Sequence, residues 1–129
     1  MNSLTVTVIQ SDLVSEDKLR NFEKFGKIIS KLKTRPDLIV LPEMFNTGFV
    51  VDPQHVAEEA EGQTFHWLKS MALNNGSAIT GSYVVKTGSG FYNRLVWMRA
   101  DGSAEFYDKR HLFRFGDEHL HFSHGKNKL

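Results

Sequence analysis

Three segments between Leu4 and Leu41 constrain the fold most. Residues 4–10 alternate Leu4, Val6 and Val8 with Thr5 and Thr7, the period of a strand with one buried face. Leu19, Phe22, Phe25, Ile28, Ile29 and Leu32 then recur at spacings of three and four, an amphipathic helix that Asp12 or Ser15 is placed to cap. Pro36-Asp37 ends it. Leu38-Ile-Val-Leu41 is a short continuous apolar run, as expected of a strand buried on both faces. Strand, helix and buried strand in that order predict a βαβ unit, for which a right-handed crossover is the default.

The rest reads as an extension of the same sheet. Residues 64–73 carry apolar side chains at Phe65, Leu68, Met71 and Ala72 and predict a second helix, stopped at Asn74-Asn-Gly76. Residues 77–85 and 91–98 predict a hairpin around a turn at 86–90. A turn at Asp101-Gly102 leads into a further strand over 104–108. Gly81 is expected to be a close-packing or bulge position. Phe91, Trp97 and Phe106 are expected in the core. Asn93 and Arg94 are read as structural. Beyond Lys109 no period is evident, and the last twenty residues predict no closing element. The expected class is α/β with a mixed sheet.

Composition excludes several functions. With 129 residues, 40% of them hydrophobic and ten of them Phe, the chain can bury a core. Sixteen basic and fifteen acidic residues leave a formal net charge of +1, too little to favour nucleic acid or an anionic membrane. No apolar run reaches the ~18 residues of a spanning helix, and the first residues lack the pattern of a signal peptide. There is no cysteine, so disulfides and thiolate metal sites are excluded. These features together lead to the expectation of a cytoplasmic protein.

Two short motifs carry chemistry. Glu43 follows the apolar run by one proline, at the strand end where open α/β sheets place their ligands. A carboxylate there suits general base catalysis; the plainer alternative is an exposed loop glutamate. Lys109 ends the strand over 104–108, where an ammonium can stabilise a developing oxyanion; the alternative is a solvated lysine. His111, His119, His121 and His124 raise a metal site, with His119 and His121 on one face of a strand and Asp117 completing the set. The plainer reading is a polar loop with packed aromatics, and no metal is expected. Ser123 is the only hydroxyl of the tail and the one candidate there for a serine nucleophile.

Leu41-Pro-Glu-Met-Phe45 with Gly48-Phe49, and Tyr107-Asp-Lys-Arg-His-Leu-Phe113, resemble in order and spacing the glutamate and lysine motifs of the nitrilase, or carbon-nitrogen hydrolase, superfamily. Gly81-Ser82, Asn93-Arg94 and Asp117-Glu-His119 place the resemblance nearest to the ω-amidase branch, which deaminates ω-amides of 2-oxo acids. The resemblance covers nearly the whole chain. It implies a four-layer α-β-β-α sandwich with mixed sheets, of which residues 1–129 form the N-terminal portion. It also implies hydrolysis of a small linear amide by a Glu-Lys-Cys triad, with Glu43 as base and Lys109 as oxyanion group. Glu118 matches a second glutamate that orients the catalytic groups in many relatives; its alternative is an ion pair with Arg110 or Arg114. The family cysteine lies beyond the lysine at a strand-to-helix elbow and has no counterpart here, so the chain alone is expected to be inactive. No cofactor is implied. The other expectation is a non-catalytic truncated relative acting as a binding or association module. A half sandwich would expose apolar sheet, which predicts self-association as a homo-oligomer or dependence on a partner fragment.

Overall fold

Five strands run in the order β1-β2-β3-β4-β5 in the computed structural model, which describes residues 3–88 and 90–129. β1 (Val6–Val8) pairs parallel with β2 (Leu38–Val40), and β2 pairs parallel with β3 (Ala78–Thr87). β4 (Gly90–Met98) returns antiparallel to β3, and β5 (Ala104–Asp108) antiparallel to β4. The expected mixed sheet is therefore present. The turn expected over 86–90 contains Ser89, which lies outside the described residues, as do Met1 and Asn2 of the N-terminal reading.

Two helices supply the connections. α1 (Lys18–Ser30) buries Phe22, Phe25 and Ile29, the expected apolar stripe. Its cap is Asp17, which accepts from the Arg20 backbone N–H; neither Asp12 nor Ser15 takes that place, because the helix starts three residues later than Ser15. α2 (Gln63–Asn75) ends where Gly76 adopts φ 61°, a left-handed position suited to glycine.

Both helices pack on one face of the sheet. Phe25, Ile29, Leu68 and Ala72 meet Ile39, Ile79, Val96 and Met98 in a single buried cluster. Gly81 belongs here by necessity: a Cβ at this position would lie 2.9 Å from the Phe45 ring and 3.1 Å from Leu41 Cβ. Phe45 in turn packs edge-on to Phe25 and close to Trp67.

The opposite face departs from expectation. Strand register puts Val6 and Val8 beside Leu38 and Val40, then Ala78 and Thr80, with Trp97 opposite Thr80 and Leu95 opposite Ser82. Leu4 is 70%, Val8 71% and Trp97 39% exposed, and Leu38 and Val40 are only half-buried. Apolar alternation correctly marked these side chains as one face, but no described element lies over this part of it. β2 is therefore fully buried on its helix side alone. Phe106 is also exposed rather than core, because β5 is the sheet edge; it lies under the Arg94 guanidinium, 3.9 Å from the ring centroid.

At the other end this face is covered. Met44, Val50, Val56, Val84, Leu112 and Phe122 form a second cluster. Between Leu112 and Phe122 the chain forms two elements that the sequence did not suggest, a 3-10 turn (Arg114–Gly116) and the one-turn helix α3 (Glu118–His121). His119 and His121 therefore lie on a helix, not a strand.

Candidate active site

The chain leaves β2 at Val40, and Pro42 cannot continue the ladder. Leu41 still donates its backbone N–H to Thr80 O, and Glu43 then emerges at the carboxyl end of the parallel strands. Met44, next in the chain, is fully buried with φ 49°, a conformation that a non-glycine residue adopts at a cost of about 1–3 kcal/mol. It is held there by its neighbours. Its N–H donates to Ser82 Oγ at 2.9 Å, and its carbonyl accepts from the N–H groups of Thr47 and Gly48. Behind it, the Asn46 carbonyl accepts from buried Asn21, and Asn46 Nδ2 donates to Thr64 Oγ1. Glu58 ties that layer together, accepting from the Thr64 N–H and hydroxyl and pairing with Lys18 at 2.9 Å. The elbow that aims Glu43 thus rests on a hydrogen-bonded polar layer, in which Asn46 Oδ1 is buried without a partner among the described residues.

Lys109 is placed by the sheet edge. Asp108 accepts both arms of a bidentate contact from Arg94, its cross-strand partner, at 2.7 and 2.9 Å. Lys109 N–H donates to Asn93 O, continuing the ladder by one residue. The ammonium then points back toward the end of β2.

Glu43, Lys109 and Glu118 meet, though 66 and 9 residues separate Lys109 from the two carboxylates in sequence. Lys109 Nζ donates to Glu43 Oε1 and to Glu118 Oε2, each at 2.9 Å. Glu118 is completely buried, and its Oε2 also accepts from the Phe113 N–H at 2.7 Å. Its partner is therefore Lys109, not Arg110 or Arg114. The Glu43 side chain is 56% exposed. Burial alone would push the Lys109 ammonium toward deprotonation, but its bonds to Glu43 and Glu118 and their charges outweigh this and hold its pKa above the usual lysine range. The lysine is thus a fixed cation beside a carboxylate open to solvent.

Asn93 is the residue that sequence reasoning missed. Its Nδ2 donates to Glu43 Oε1 at 2.7 Å and reaches Glu118 Oε1 at 3.4 Å, and the residue is buried. The available signal was a polar residue on an apolar strand, four positions upstream of Trp97 and hence on the same face. A pocket of about 240 Å³ opens over the group, lined by Leu41, Pro42, Ser82, Leu95 and Tyr107 with Glu43, Asn93 and Lys109. It accommodates a small molecule that can present a proton to Glu43 and an oxygen to Lys109.

The other candidates lie elsewhere. Among the described residues no three His, Cys, Asp or Glu side chains converge on a metal position. His124 Nδ1 contacts Arg110 O at 2.7 Å. Ser123 packs at Gly90, at the start of β4, and does not line the pocket. No described helix is long and apolar enough to cross a membrane.

Comparison with known proteins identifies the family. The carbon-nitrogen hydrolase family model matches residues 5–127, and the chain belongs to that family. It is 36% identical to "Omega-amidase YafV" of Escherichia coli (strain K12) over 129 residues, covering all of this chain and 50% of that protein. It is 32% identical to "2-oxoglutaramate amidase" of Bacillus subtilis (strain 168), covering 94% of this chain and 48% of that protein. Among solved structures, a CN-hydrolase superfamily protein from Xanthomonas campestris superposes with a TM-score of 0.92 at 38% identity, over 100% of this chain and 49% of that one. The chain thus spans about half the length of the relatives it matches.

Proposed function

We propose that this chain carries the base and oxyanion halves of an ω-amidase-like site, acting on a small linear amide such as a 2-oxo acid ω-amide. The observation that carries the reading is the Glu43–Lys109–Glu118 chain, of which Glu43 and Lys109 line the pocket. Relatives named as ω-amidase and 2-oxoglutaramate amidase support the substrate class. In this reading Glu43, exposed on the pocket side, takes the proton of a cysteine thiol. The thiolate attacks the amide carbonyl, and Lys109 stabilises the tetrahedral oxyanion. Ammonia leaves, and water activated by Glu43 hydrolyses the thioester. Glu118, buried behind the lysine, holds Lys109 in place rather than touching substrate. The thiol is not supplied by these 129 residues, which contain no cysteine; the chain alone is therefore expected to be silent.

The test is a chimera in which this chain replaces the matching half of the Escherichia coli relative. Ammonia release from 2-oxoglutaramate is expected, and its loss in both Glu43→Gln and Lys109→Met. A folded chimera without turnover sinks the reading.

The exposed apolar face of β1 and β4 favours a second reading, a non-catalytic association module. That reading gains if the chimera is folded and inactive while the chain still binds a partner through Val8 and Trp97.

A further inference from the structure

We infer that Asn93 is a positioning residue that decides which oxygen of Glu43 takes the proton. The inference rests on the reading of Glu43 as a base. A half-exposed glutamate would ordinarily sample several rotamers, with its two oxygens interchangeable. Here Glu43 Oε1 accepts from Asn93 Nδ2 at 2.7 Å and from Lys109 Nζ at 2.9 Å. Two donors commit the lone pairs of that oxygen. Among the described residues no donor reaches Oε2. Oε2 is therefore the proton acceptor, and its direction is set by the bonds that Oε1 makes.

Asparagine suits the task for a chemical reason. Its amide nitrogen carries two hydrogens, and two carboxylates face it: Glu43 at 2.7 Å and Glu118 at 3.4 Å. It orients both without adding charge, so the single ammonium of Lys109 still serves the pair. Aspartate in its place offers no donor, and leucine fills the same space with no polar atom. The position is rigid. Asn93 is buried on β4 directly opposite Val84, and its carbonyl accepts from the Lys109 N–H. One residue therefore spaces the lysine through its backbone and aims the carboxylate through its side chain.

The test is read by NMR on the 129-residue chain. The Asn93 side-chain amide should show one proton displaced downfield and protected from exchange. Glu43→Gln removes the charged acceptor and should move that signal upfield, leaving the backbone signals of β4 in place. A side-chain signal that does not respond overturns the inference. Asn93→Leu keeps the volume and removes the donor. A space-filling role predicts an unchanged Glu43 carboxyl carbon signal, whereas positioning predicts a shifted or broadened one; an unchanged signal also overturns the inference. Should the leucine variant fail to fold, the Glu43→Gln comparison stands. None of these signals needs turnover. A silent amide in a chain whose chimera works through Glu43 defeats the positioning role alone. A responsive amide with an inactive chimera defeats the hydrolase reading alone.

Discussion

Glu118 Oε2 accepts the Lys109 ammonium at 2.9 Å from a position with no solvent exposure, while Glu43 accepts the same ammonium at the surface. The two bonds differ in what breaking them costs. Lys109→Met leaves the buried Glu118 charge without its cation, expected to destabilise the chain by roughly 3 kcal/mol. Glu43→Gln removes only an exposed partner and should cost less than about 1 kcal/mol. Urea denaturation of the two variants separates them. Adding Glu118→Gln to Lys109→Met should recover part of the loss, because the stranded charge is gone. Equal costs for the two single variants would contradict the burial argument.

Alkaline pH should unfold the chain through two groups. Lys109 is held above the usual 10.5 of lysine, because its carboxylate partners outweigh burial. A raised lysine contributes fully below pH 10.5, and that contribution is lost as pH rises through the folded value. Tyr83 is raised above 10.0 chiefly by burial, with the Glu58 charge adding to it. The folded state keeps the phenol neutral, whereas the unfolded chain ionises above about pH 10, so stability again falls on the alkaline side. The urea midpoint is therefore expected to hold to about pH 10 and decline above it. Tyr83→Phe should flatten part of the decline. It should also lower stability at neutral pH by about 1 kcal/mol, since Tyr83 Oη donates to Ala60 O at 3.2 Å. A midpoint that rises between about pH 10 and about pH 11 would count against both assignments.

The order of strands and helices was legible from period and punctuation, since Pro36, Asn74-Asn-Gly76 and Asp101-Gly102 act locally. Glu43 and Lys109 were legible because their motifs lie beside recognisable strand ends. Asn93 was not, because its contacts with Glu43 and Glu118 depend on the β3–β4 and β4–β5 registers and on a lysine reached through the next strand. The Met44 conformation was equally hidden: it is imposed by Ser82, 38 residues away. The burial of Val6 and Val8 was misjudged for another reason. Alternation reports that a face is apolar, but not whether another layer covers it.

Gly81 limits what can change behind the elbow. A Cβ there would meet the Phe45 ring at 2.9 Å and Leu41 Cβ at 3.1 Å, and both residues flank Glu43 within two positions. The Phe45 ring is fully buried against Phe25 and has little room to give. Gly81→Ala should therefore destabilise by about 1–3 kcal/mol as an overpacking change. The NMR signals of Glu43 and Met44 should shift although neither residue was altered. Gly26 is the control, because a methyl group added there would meet nothing within 4 Å. Its replacement by alanine within α1 should stabilise by up to ~1 kcal/mol. Equal responses at the two positions would remove the steric argument.

Part of the sheet is open on the face away from α1 and α2. Leu4, Val6, Val8 and Trp97 are all exposed, and register places Val6, Val8 and Trp97 on the side away from α1 and α2. A contiguous apolar surface of this kind gains about 25 cal/mol for every square ångström it buries. The isolated chain is therefore expected to self-associate as its concentration rises and to bind a hydrophobic dye. Charge is close to balanced at +1, so long-range repulsion does little to oppose contact. Replacing Val8 and Trp97 together by lysine places two cations on the face. This should return the chain to monomer in sedimentation while leaving its helix signal intact, because neither side chain belongs to the buried cluster under the helices. A wild-type chain that stays monomeric across a wide range of concentration would show that the face does not drive association.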